Sequence, residues 1–155
     1  MKYIEISFIL KMYMKMVEAT GGTYGIRSIE LLESAIENSK ITFEGIELYP
    51  TVEEKCANIC YSIINNHPFV DGNKRMGIYI MLVLLEYNNV YIEYTQEELV
   101  KLGLDIACGS LRQKDIVNWI KNTKIASVST EAFRLHQMYM PYLLAFLHPK
   151  YTLIP

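Results

Sequence analysis

The run "RMGIYIMLVLLEYNN", Arg75 to Asn89, limits what this chain can fold into more than any other stretch does. Its apolar residues fall on nearly every side of a 3.6-residue period, and a helix that is hydrophobic all round must be covered all round. A bilayer is not the expected cover. The longest nearly uncharged runs, Met76 to Leu85 and Met138 to Leu147, fall well short of the roughly 20 apolar residues that a membrane-spanning helix needs. Other helices of the same chain should therefore surround this one as the spine of a bundle.

The remaining periodic segments are mostly helical too, giving an all-α bundle with one short β excursion. A first helix is expected over about residues 5–19; Lys11, Lys15 and Glu18 interrupt its apolar run, which argues against a signal peptide. It stops at Gly21-Gly22, a left-handed or flexible exit. A second helix runs from Ser28 to about Asn38, with Ile29, Leu32 and Ile36 at core spacing. In "KITFEGIELYP", Ile41, Phe43, Ile46 and Leu48 alternate with polar residues about Glu44-Gly45, which predicts a hairpin or flap ended by Pro50. Thr51 and Glu54 form a capping box for a third helix, whose apolar face includes Ala57, Cys60 and Ile64. Two more boxes, Thr95 to Glu98 and Ser110 to Gln113, predict helices near 96–107 and 112–122, with Trp119 in the core.

With 155 residues, 51% hydrophobic and 21% charged, the chain can bury a core as a single domain. Its formal net charge of −2, with no cluster of Lys and Arg, gives nucleic acid or an anionic membrane no sequence-independent attraction. A soluble cytoplasmic protein is expected. The cysteines, Cys56, Cys60 and Cys108, form no C-x-x-C pair and have no companion ligands at zinc spacing, so they read as small core residues.

One polar segment stands apart: "NNHPFVDGNKRMG", Asn65 to Gly77. If one helix ends near His67 and the next begins near Asn73, the turn exposes the unpaired N–H groups of a helix N-terminus, and Gly72 lets the backbone approach a ligand. That arrangement suits an anion. Lys74 and Arg75 then add cations at the end of a helix where acidic residues are ordinarily preferred, a mismatch that a phosphate would resolve. Asp71 would repel phosphate unless a cation lay between them, and Mg²⁺ held by one carboxylate and nucleotide phosphates meets that need. His67 supplies an imidazole, the side chain suited to taking a hydroxyl proton near neutral pH. Taken singly, His67, Asp71 and Gly72-Asn73 are also ordinary cap and turn residues; their conjunction with Lys-Arg favours the phosphate site. Phe69 should plug the core and hold the loop.

His67-Pro68-Phe69-Val70-Asp71-Gly72-Asn73-Lys74-Arg75 matches every specified position of H-x-F-x-[D/E]-[G/A]-N-[G/K]-R, and the chain resembles the Fic/Doc family over about residues 20–122. The resemblance implies a Fic/Doc-type helical bundle with a flap before the motif helix. It implies ATP and Mg²⁺ as cofactors, His67 as the base that activates a target hydroxyl, Asp71 as the metal ligand, and Gly72, Asn73, Lys74 and Arg75 as the anion hole. The flap residues Thr42, Phe43, Glu44 and Gly45 would dock the target, an edge strand gripping an extended segment; a plain structural hairpin is the alternative. Fic-type adenylyltransferases usually carry Gly where Lys74 stands and a second Arg where this chain has Ile78. Lys followed by Arg, without that second Arg, is the pattern of the Doc branch, the death-on-curing toxins. That branch implies γ-phosphoryl transfer to a hydroxyl of a target protein, translation factor EF-Tu, and a block of translation. AMP transfer, or a catalytically silent member acting by binding, are the alternatives. One departure is Asn65, where the Doc pattern has Arg.

The resemblance also implies a small antitoxin protein as partner. Residues 1–126 are read as the catalytic domain. Residues 127–155 form an apolar tail, helical from about Thr130 and kinked or ended near Pro141, which packs on the same domain or against a second subunit as a homodimer. Ser127 to Ala132 approaches the pattern of the inhibitory helix found in self-restrained Fic proteins, but Ala132 breaks it, and Ile78 removes the partner its Glu131 would need.

Overall fold

In the computed structural model, which describes residues 1–125, six helices and one two-stranded hairpin follow one another as expected: α1 (Ile6–Thr20), α2 (Ile29–Asn38), β1 (Thr42–Phe43), β2 (Ile46–Glu47), α3 (Val52–Asn66), α4 (Asn73–Tyr87), α5 (Gln96–Ala107) and α6 (Gln113–Thr123). The readings of residues 127–155 lie outside the described residues. No helix among the described residues is long and apolar enough to cross a membrane.

The apolar run becomes α4, and ten of its fifteen residues are buried. It packs against α1, α3 and α5. The role of spine is shared, because α3 itself contacts α2, α4, α5 and α6. Gly77 explains how closely the central pair meets: a Cβ there would lie 2.6 Å from Ile64 Cγ1 and 3.1 Å from the Cys60 carbonyl oxygen. Ile59, Ile63, Ile64, Met76, Ile80 and Met81 are fully buried, each Ile or Met stabilising the fold by roughly 1.5–3 kcal/mol.

The boxes at Thr51 and Thr95 both form. Each threonine hydroxyl accepts from the N–H three residues on, Glu54 or Glu98, and each glutamate returns to the threonine N–H. Ser110 does not cap α6. Instead the Asp115 carboxylate accepts from the Arg112 N–H at 2.8 Å, while the Ser110 hydroxyl lies 3.0 Å from Cys108 Sγ. The reading of Cys108 as a core residue is corrected with it: Cys56 and Cys60 are buried, but Cys108 ends α5 and is exposed. Trp119 is only partly buried and packs on the edge of the core.

The hairpin pairs Thr42 with Glu47 and Phe43 with Ile46, turning through Glu44 and Gly45 at φ 50° and 80°. Positive φ at both turn positions is what a two-residue loop needs to match strand twist. Its base is tied to α3 by Lys55, whose buried ammonium lies 3.0 Å from Glu47 Oε1 and 3.4 Å from the Ser39 carbonyl oxygen.

Candidate active site

The loop between α3 and α4 begins with His67, which ends α3 in the left-handed region at φ 51° and ψ 57°. A non-glycine residue there carries strain, on the order of 1 kcal/mol. Its effect is to turn the chain sharply and leave the His67 side chain exposed. The next residues reverse inward: Pro68 and Phe69 are buried. Phe69 stacks on Tyr13 of α1 with ring centroids 4.1 Å apart, so it is the plug its sequence position suggested.

Asn73 closes the loop with both ends of its side chain. Its Oδ1 accepts from the Phe69 N–H and its Nδ2 donates to the Phe69 carbonyl, each at 2.9 Å. What Asn73 can still offer an anion is its backbone N–H, in the first turn of α4 where the opening N–H groups lack intrahelical acceptors. Gly72, at φ 80°, caps α4 without a side-chain bond, and the first turn holds no acidic residue. Lys74 is exposed beside this end.

A strap from the α1–α2 connection holds the loop from outside. Arg27 and Ser28 N–H groups both donate to the Pro68 carbonyl, at 2.7 and 3.1 Å, and the Val70 N–H donates to the Gly25 carbonyl at 2.8 Å. Ile26 and Phe69 thereby form an antiparallel bridge. The Tyr13 hydroxyl reinforces the strap, 3.1 Å from the Gly25 carbonyl and 3.3 Å from its N–H.

The same connection reaches the charged residues. Asp71, with its side chain 46% exposed, accepts from the Gly72 N–H at 2.6 Å, the Thr23 N–H at 3.3 Å and Arg75 Nη2 at 3.3 Å. Arg75 is only 17% exposed. It points to the end of α1, where Nη1 donates to Thr20 Oγ1 and, at 3.0 Å, to the Gly21 carbonyl. So the structure brings His67, Asp71, Gly72, Asn73, Lys74 and Arg75 into one loop and helix start, with the Asn73 side chain and the Arg75 guanidinium engaged by the fold itself. The flap residues Thr42 to Gly45 occupy the separate hairpin before α3 and are exposed.

Ile78, four residues beyond Lys74, is 1% exposed and belongs to the core, where a Cβ on Gly103 of α5 would come within 3.6 Å of its Cγ1. The side chain of Asn65 donates to the Tyr61 carbonyl on its own helix at 2.8 Å.

Sequence reading missed Thr20, Gly22, Thr23 and the 25–28 strap. The signal available was the Gly21-Gly22 pair, which reads as a helix exit and also proves to be a close approach: a Cβ on Gly22 would lie 2.3 Å from Asp71 Oδ2.

This helical arrangement, with its motif loop between a central helix pair and a hairpin before it, defines a class. The Fic/DOC family model matches residues 3–85, and the chain belongs to that family. Over 74 residues it is 34% identical to the Toxin Doc of Mycolicibacterium smegmatis, an alignment covering 48% of this chain and 57% of that protein. The chain thus spans little more than half the length of that relative, and the likeness lies on the Doc side of the family.

Proposed function

We propose that this protein is a Doc-like toxin of a toxin–antitoxin pair, transferring the γ-phosphoryl group of ATP to a hydroxyl side chain of a target protein. One observation carries the reading: an exposed imidazole, a half-exposed carboxylate and an exposed ammonium, His67, Asp71 and Lys74, flank a helix N-terminus with no side-chain cap. The backbone N–H groups of Asn73 to Arg75 and the Lys74 ammonium receive phosphate oxygens, with the dipole of α4 favouring negative charge; the Gly72 N–H is held by Asp71. His67 accepts the proton of the target hydroxyl as its oxygen attacks the γ-phosphorus, and ADP leaves.

Asp71 fits a magnesium ligand. It retains exposed carboxylate surface, and no group of three His, Cys, Asp or Glu side chains gathers among the described residues. A single carboxylate suits an ion that keeps waters and takes nucleotide phosphates as its other ligands. Such an ion, when bound, would screen the carboxylate from those phosphates.

Ile78 supports phosphoryl over adenylyl transfer, since a buried aliphatic side chain cannot clamp the terminal phosphate as an arginine would. Translation factor EF-Tu is the target to test first, with a block of translation as the consequence, and a small antitoxin is the expected partner.

The test is transfer of label to EF-Tu from ATP labelled at the γ- or the α-phosphate, with His67→Ala as control. Label is expected from the γ-position alone and is lost in the control. Label from the α-position would establish adenylyl transfer instead, and no label from either position with any lysate protein would leave a binding role.

A further inference from the structure

The contacts between the end of α1 and the motif loop single out a residue with no charge and no exposure. Thr20 is 2% exposed, and its hydroxyl donates to the Met16 carbonyl at 2.7 Å. With its hydrogen so directed, the oxygen presents lone pairs to Arg75 Nη1, 55 residues away in sequence. The guanidinium is a rigid planar fork, so fixing Nη1 between Thr20 Oγ1 and the Gly21 carbonyl also fixes where Nη2 points. It points at Asp71 Oδ2, which the Thr23 N–H approaches as well. Gly22 lets this loop close, with φ at 117° and no room for a Cβ beside the carboxylate.

We propose that Thr20 is a positioning residue for the Asp71 carboxylate: through Arg75 it sets the rotamer in which Asp71 turns its open face toward a divalent cation bound with nucleotide. This rests on the reading of Asp71 given above. Partners that orient a metal ligand matter because the ligand's geometry must be ready before the ion arrives. A structural explanation competes with it. Arg75 also caps α1, whose last turn has no basic residue of its own. The two separate in Thr20→Val, which keeps the shape of the side chain and leaves the Gly21 carbonyl contact in place while removing the oxygen that aims Arg75.

The experiment titrates ATP into the full chain by calorimetry, with excess Mg²⁺ and again with chelator, for the native protein, Thr20→Val and Thr20→Ser, alongside thermal melts. Thr20→Val is expected to lose about tenfold or more of the Mg²⁺-dependent gain in ATP affinity. Its Mg²⁺-free binding should stay native, and Thr20→Ser should restore the gain. An unchanged gain in Thr20→Val overturns the proposal. So does an equal loss with and without Mg²⁺, which would mark Thr20 as a support of the fold alone. If the native chain itself binds ATP without any Mg²⁺-dependent gain, the assignment of Asp71 fails and this inference falls with it; a native gain that Thr20→Val retains sinks only the inference.

Discussion

Asn73 and Lys74 are neighbours in the motif with opposite fates. Asn73 is 7% exposed and makes two hydrogen bonds with the backbone of Phe69, whereas Lys74 is exposed. Removing one partner of a buried hydrogen bond strands the other, at about 1–3 kcal/mol. Asn73→Ala should therefore lower stability to denaturant by about that amount, while Lys74→Ala stays within about 0.5 kcal/mol of native. Urea unfolding followed by circular dichroism compares the two, and equal stabilities would show that the Asn73 bonds do not hold the loop. At this scale the sequence was only partly legible. Phe69 was readable as a plug because an aromatic residue inside a polar run has few other uses. The Arg75 guanidinium was not, because its partners at Thr20 and Gly21 are more than fifty residues away and no local pattern announces them.

Among the elements, the helices were legible where they carry their own start signals. Thr51 and Thr95 lie three residues before Glu54 and Glu98, and both boxes form. Ser110-Leu111-Arg112-Gln113 offered the same pattern, but Asp115 competed for the helix start and captured the Arg112 N–H. The hairpin was legible from alternation about Glu44-Gly45, and its side chains make it the most open apolar element of the described chain. Phe43 and Ile46, paired across the strands, are 66% and 72% exposed. That pair can contact a target, and its backbone edge can pair with an extended segment. In the labelling assay, Phe43→Ser with Ile46→Ser should raise the KM for the protein target several-fold while ATP binding and melting temperature stay near native. Unchanged KM for the target would leave the hairpin a structural element.

At the scale of the whole molecule, an ion pair fastens the chain after the last described helix to the start of α3, against which α6 packs. Lys124, just after α6, reaches Glu53 at the start of α3, 2.8 Å away, with the Glu53 side chain 12% exposed. Burial alone would raise the Glu53 carboxyl, but its hydrogen bond to Lys124 and the charges of Lys124 and Lys121 leave it below its ordinary value near 4.5. A carboxyl lowered by folding stabilises the native state above its unfolded value, and that contribution is lost as pH falls through the folded value. Glu53→Gln should thus cost up to about 1 kcal/mol at neutral pH, with Lys124 half in solvent, and the difference from native should shrink as pH falls through the folded value. Melts across that range check the sign; a constant difference at all pH values would mean that packing, not charge, holds Glu53.

The strap from residues 25–28 to residues 68–70 also places the site in the lifetime of each molecule. Local helices form on their own stretch of chain, but this pairing must close a loop of about forty residues before the Pro68 carbonyl finds its donors and the Val70 N–H its acceptor. Residues 25–28 are synthesised first and wait for their counterpart. Until that pairing closes, α3 has no strap to shape the turn after it, so the geometry of the motif loop depends on a contact distant in sequence.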